Sequence, residues 1–426
     1  MTAEAFTGVR GFLGRYEGLK DHLPGDPDAR ASAAEAFRRM GMPGGTAGRR
    51  DEAWKYTSLR LLAEASFHEP LTLPLDPEAL RDSVPRIGAT RIVFLDGRYQ
   101  PDLSELPPGI TFQSFADHPL FGRLPRPDRD AMTALNTMLT EDGAWIEVPA
   151  GMDAGLMQLV SIGTDAAGRA TAFHPRHVIR LGDGARLSVV ETSSGRGAYL
   201  HNPVTELDIG RGAFLEHVRL QDESETAFHL STIYAEIADG GSYDSFLLTT
   251  GARVSRSEMY ARLAGPDAAV HLNGAQLLHG VQHADFTSVV RHDAPHCASR
   301  QTVKNVLTGR SRAVFQGRIE VARVAQKTDG YQMSQSLLLS PDAEIDTKPE
   351  LEIFADDVKC SHGATVGELD RAQLFYLRTR GIPEPEARSI LVRAFLAEAI
   401  EAVANEPARA ALERTVAQWW ERQQAA

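Results

Sequence analysis

The stretch KPELEIFADDVKCSHGATVGELDRAQLFYLRTRG sets the chain's second and last cysteine, Cys360, two residues before His362. On an extended strand, alternate side chains share a face, so Val358, Cys360 and His362 line up while Lys359 and Ser361 point away. A thiolate beside an imidazole suits zinc, copper(I) and iron-sulfur centres. Two ligands do not close such a site, and further ligands would have to come from elsewhere. On these residues alone, a half-buried cysteine packing as a small hydrophobe is the commoner reading.

A second group lies in HLNGAQLLHGVQHADFTSVVRHDAPHC, which holds His271, His292, His296 and Cys297. Pro295 opposes the helix that would put His292 and His296 on one face. Stacked coils could still join His271, His296 and Cys297, although zinc sites usually show tighter ligand spacing. The chain has no HExxH, GxSxG or Walker A signature, and the glycine-rich GMPGGTAGRRD at 41–51 lacks the GK[ST] of a phosphate loop. No catalytic engine is evident, and a non-enzymatic role is expected.

The elements that must position these residues fall into three parts. Residues 1–87 read as an N-terminal helical region. Phe12, Leu13, Tyr16 and Leu19 recur at helical spacing, as do Ala33, Ala36, Phe37 and Met40 before Gly41. Residues 41–51 then form a linker, and DEAWKYTSLRLL a docking helix and turn packed through Trp54, Leu59 and Leu62.

Residues 88–364 carry short apolar runs broken by Gly, Asp and Pro. LGDGARLSVVE starts at Leu181, IGRGAFLEHVR at Ile209 and IADGGSYDSFL at Ile237, at one constant interval (209 − 181 and 237 − 209). Weaker copies start at Leu263 and Val289, at a slightly shorter interval that is again constant (263 − 237 and 289 − 263). Repeats of this size without helical period indicate stacked β units, and a right-handed parallel β-helix is expected. A sandwich of hairpins would need regularly placed Asp-Gly turns. Three of the five Asp-Gly pairs lie outside the spaced corners.

Residues 365–426 form a C-terminal helical region. Asp370 with Gln373 resembles a capping box, Leu374, Phe375 and Leu377 give an apolar stripe, and Gly381 terminates the helix. Pro385 opens a second helix and Pro407 a third, which carries Trp419 and Trp420. Helices at either end of a solenoid suit the role of caps.

Composition narrows the class. The 426 residues carry a net charge of −12, which disfavours nucleic acid and anionic membrane as partners. No window reaches the roughly 18 apolar residues of a membrane span. The N-terminus carries Glu4, Glu17 and Asp21 and lacks a signal-peptide pattern, so a cytoplasmic protein is expected. Two cysteines exclude a disulfide framework.

Taken together, KPELEIFADDVKCSHGATVGELDRAQLFYLRTRGI, the preceding HCASRQTVKNVLTGRSRAVFQGRIEVARVAQKTDGYQMSQSLLLS, and EAWKYTSLRLL near the start resemble the SufB/SufD family of iron-sulfur cluster assembly proteins. The length, the EAWKYTSL segment and the shortage of cysteines resemble its SufD side rather than its SufB side. The resemblance implies a β-helix core between helical regions and a non-catalytic scaffold that pairs with SufB. It also implies binding of the ABC ATPase SufC on the C-terminal helices. Cys360 and His362 match the family's CSHG positions, which implies that they hold iron or a transient iron-sulfur cluster shared with SufB, with none tightly bound to the isolated chain. An exposed solenoid edge also allows the isolated chain to form a homodimer. The alternative from residues alone is a β-helix metal-dependent hydrolase or polysaccharide lyase.

Overall fold

A computed structural model of the chain describes residues 5–44, 52–68, 84–88, 90–165 and 168–425. Most of the linker read at 41–51 therefore lies outside the described residues. The first helices run Gly8–Leu19 and Pro27–Met40. Asp26 caps the second by accepting from Asp28 N–H at 2.9 Å, and Gly41, at φ 72°, stops it. Phe12, Tyr16, Ala33, Ala36 and Phe37 are buried, as their spacing predicts.

A further helix, Ala131–Leu139, was not legible in the sequence. Every residue in it is buried, so it has no amphipathic stripe, and only Asp130, which caps Met132 and Thr133 N–H at 3.1 and 3.0 Å, marks its start. It packs against the Pro27–Met40 helix in one apolar cluster.

The rest of the core is a parallel β-solenoid of about 8 turns. Successive strands alternate between two sheets of ten and eleven strands, so each coil adds one strand to each sheet. Leu181, Ile209 and Ile237 stand directly beside one another in the ladder, and Ile237 stands beside Leu263. The next partner of Leu263 is His292 rather than Val289, because that coil is longer than the one before it (292 − 263 against 263 − 237). Inward side chains from both sheets, from Ile92 and Phe94 to Val303 and Phe315, fill one continuous interior.

One corner explains the repeat and its fading. Gly151, Gly184, Gly212 and Gly240 all take φ between 61° and 69°, where a Cβ is disfavoured. Each donates its N–H to a carbonyl of the next coil: Gly184 to Arg211 O at 2.8 Å and Gly212 to Asp239 O at 2.9 Å. Later coils keep the hydrogen bond and the left-handed turn with Asp267, His296 and Lys327. The glycine marker disappears while the backbone stays.

The EAWKYTS segment is a clamp on the solenoid. Trp54 is buried, with the Arg256 guanidinium 4.0 Å from its ring centroid. Arg256 donates to Ala53 O at 2.9 Å and is ion-paired to Glu258 and Asp285. Thr57 donates to Asp285 and lies 2.9 Å from His283 Nε2. A buried guanidinium needs its donors filled. Two acids and a backbone carbonyl of the docked segment fill them.

Candidate functional site

The last strand, Lys359–Gly367, lies at the edge of its sheet and pairs with Asp329–Leu338, with Cys360 opposite Gly330 and His362 opposite Gln332. Cys360, with Leu351 and Val358, packs against the buried cluster of Ile319, Val321, Ala325 and Ala355. Gly330 leaves room for the thiol, since a Cβ there would stand 3.3 Å from Sγ. His362, two residues on along a regular strand and so on the same face, is exposed because no further coil covers it. Burial pushes the Cys360 thiol up, against the opposing pull of the Gly330 backbone N–H. The pair is thus poised at the open end of the core, the thiol half-sheltered and the imidazole accessible.

The same end exposes apolar surface. Ile353, Phe354, Val366, Phe375 and Tyr376 are large hydrophobics open to solvent. The other strand at this end, Glu344–Ile353, is likewise the edge of its sheet. The helix Arg371–Thr379 follows, capped by Asp370, which accepts from Ala372 and Gln373 N–H at 2.7 and 3.0 Å. None of its residues is buried.

The two later helices, Glu384–Ile400 and Glu406–Ala425, behave differently. Val392, Leu396, Ala399, Leu412, Val416 and Trp419 pack on Val218, Phe246, Leu277 and Val306 of the solenoid. Lys304 Nζ, almost fully buried, reaches Glu398 at 2.6 Å and sits 4.7 Å from the Phe395 ring centroid. Glu216 accepts the N–H groups of Ala404 and Asn405 at 2.7 and 3.1 Å, fixing the turn between the two helices. The apolar stripes of the tail therefore divide: two helices are core, and the first is surface.

The second sequence candidate does not assemble. His296 is turned outward by the left-handed corner while Cys297 is buried in the core, its Sγ 3.3 Å from Gly265 O. His271 pairs with Asp244 at 2.7 Å, and His292 Nε2 lies 2.9 Å from Ser299 Oγ. Among the described residues, the His, Cys, Asp and Glu side chains that do converge are His201, Glu223 and His229, all buried. Sequence reading missed them. The available signal was the separation of the two histidines (229 − 201), which equals the interval between Leu181, Ile209 and Ile237 and sets them side by side in the ladder.

A parallel solenoid that ends in two open sheet edges, an uncovered helix and a half-sheltered thiol defines the class of this protein. Comparison with known proteins gives that class a family. Residues 162–395 match the family described as SUF system FeS cluster assembly, SufBD core domain, and residues 27–156 match the SufBD protein N-terminal region. The chain is 33% identical to the iron-sulfur cluster assembly protein SufD of Escherichia coli, over 86% of this chain and 87% of that one. It is 30% identical to the chloroplastic protein ABCI7 of Arabidopsis thaliana, over 92% and 87%. It is 28% identical to an iron-sulfur cluster assembly SufBD family protein of Synechocystis, over 88% and 86%. The chain belongs to the SufBD family of the SUF iron-sulfur cluster assembly system. No described helix is long and apolar enough to cross a membrane.

Proposed function

We propose that this chain is a non-catalytic scaffold subunit of the cytoplasmic SUF machinery. It pairs through its open solenoid end with a cysteine-richer SufB-like paralogue, and its tail binds a SufC-like ABC ATPase. Cys360 and His362 supply part of the ligand set for iron or a nascent cluster, and the paralogue supplies the rest. The observation that carries this reading is the position of the pair on the terminal strand of an unfinished ladder. Their ligand set is incomplete just where a second chain would continue the sheets. Edge strands that present unpaired N–H and C=O groups are templates for another chain. The exposed Arg371–Thr379 helix begins four residues beyond Gly367, so an ATPase seated on it would lie close to the pair.

The test is cluster build-up on the complex reconstituted from this chain and its SufB-like and SufC-like partners. His362→Ala is expected to lower both cluster yield and bound iron several-fold, with assembly of the complex intact. Unchanged yield together with unchanged iron content would remove His362 from the site.

A further inference from the structure

We propose that His201, Glu223 and His229 form a second, resident metal site inside the solenoid wall, one that takes a divalent zinc or ferrous ion and is independent of the Cys360–His362 pair. It departs from the expectation that the isolated chain carries no tightly bound metal.

The site is built by the repeat. The strands Tyr199–His201 and Phe228–Ile237 are neighbours in one sheet, with His201 directly opposite His229. Glu223 comes from the other sheet, just past the end of Phe214–Asp222, where the chain turns back. One ligand atom from each of the three lies within 4.8 Å of the others. His201 Nδ1 is 3.0 Å from Glu223 Oε1, and His229 Nδ1 is 2.7 Å from Glu223 Oε2. Donors bound at about 2.0–2.2 Å around a tetrahedral ion stand ~3.3 Å apart, so the three are already near a coordinating arrangement.

His201 Nδ1 and Glu223 Oε1 are hydrogen-bonded in the cluster, but that bond does not close it. Despite the 2.7 Å approach, His229 Nδ1 and Glu223 Oε2 lack good hydrogen-bond geometry, and His201 Nε2 has no hydrogen-bond partner among the described residues. Both side chains are at least nine-tenths buried, at 5% and 1% exposure, and Glu223 is at 0%. Where that contact carries no proton, the imidazole lone pair and the carboxylate oxygen repel each other. An ion between them converts the repulsion into two bonds.

The surroundings hold the carboxylate in place. Gln221 Nε2 donates to Glu223 Oε2 at 3.0 Å, while Gln221 Oε1 is tied to Gly251 N–H at 3.3 Å. This is the outer support that orients metal ligands. The Tyr199 hydroxyl lies beside Glu223 and offers a further oxygen. Two imidazoles and one carboxylate, without thiolate, match the donor sets of zinc and of non-haem ferrous sites and disfavour magnesium, which prefers all-oxygen shells. The ion would stitch two neighbouring coils to the turn between the sheets.

The experiment uses the full chain alone, freed of metal by chelator and then dialysed against zinc or ferrous iron under anaerobic conditions. One equivalent of either metal per chain is expected, and the metal that is retained identifies the ion. Glu223→Gln, of matched shape, is expected to weaken binding by more than ~100-fold, beyond what loss of an outer partner costs. The double variant Cys360→Ala, His362→Ala should keep the ion, which separates this site from the one proposed for cluster assembly. Absence of a stoichiometric ion in the native chain, or its retention by folded Glu223→Gln, overturns the proposal. Should that variant not fold, the native chain loaded with cobalt(II) decides. Paramagnetically shifted proton resonances from two histidines support the site, and their absence overturns it.

Discussion

Trp54 is the anchor of the N-terminal clamp, and Trp54→Ala tests that role directly. Its indole is 7% exposed and covers the Arg256 guanidinium at 4.0 Å. Burying ~200 Å² of indole at ~25 cal/mol per Å² amounts to ~5 kcal/mol, and tryptophan-to-alanine changes in cores cost about 3–5 kcal/mol. A loss of ~4 kcal/mol falls on the local docking of residues 52–67, because Arg256 keeps its ion pairs to Glu258 and Asp285 whatever happens to the indole. At ~1.4 kcal/mol per factor of ten, the undocked population should rise about a thousandfold. Lys55 and Arg60 are exposed residues of this segment, so trypsin cuts there once the backbone lifts away. The assay is the rate of native-state tryptic cleavage after Lys55 at low protease, where cleavage reports the open population. A rise below tenfold, in a variant whose solenoid still unfolds at the native denaturant midpoint, would refute the anchor.

Acid should destabilise the fold through histidines locked neutral in the core. Burial holds His174 at about 3 and both His177 and His292 at about 4, below the ordinary 6.5. Between pH 6.5 and about 4 the unfolded chain binds up to three protons that the folded chain refuses, so stability falls with pH at up to ~4 kcal/mol per unit. A urea midpoint unchanged from pH 7 to pH 5 would contradict this. His296→Gly should stabilise by ~0.5–1 kcal/mol, since left-handed backbone costs about 1–2 kcal/mol for a residue with a Cβ and the extra freedom of unfolded glycine returns part of it. A lowered denaturant midpoint would show that the corner is not strained.

The sequence revealed what local periodicity encodes. Leu181, Ile209, Ile237 and Leu263 stand side by side in the ladder because coil length is nearly constant there. Periodicity alone misplaces the next coil at Val289, because the coil lengthens to bring His292 into register and the corner glycine has given way to Asp267 and His296. Cys360 and His362 could be paired from sequence because two residues on one strand share a face. His201, Glu223 and His229 could not, since their meeting depends on register between coils and on a turn between sheets. For the tail, caps and stripes located the helices. They carried no sign that Leu396 would be covered and Phe375 left bare.

The two ends of the solenoid are unlike. One end stops in two full strands, Glu344–Ile353 and Lys359–Gly367, each running parallel to its neighbour. The other stops in the short strands Arg98–Tyr99 and Thr111–Ser114, two and four residues long and antiparallel to theirs. A filament of stacked solenoids needs a donor end and a matching acceptor end on every molecule. Among the described residues, this chain has only the first. Two such ends that met edge to edge would each be consumed, so that contact would halt at a pair. The asymmetry that exposes Cys360 and His362 therefore also works against end-to-end polymerisation of a protein with long bare sheet edges.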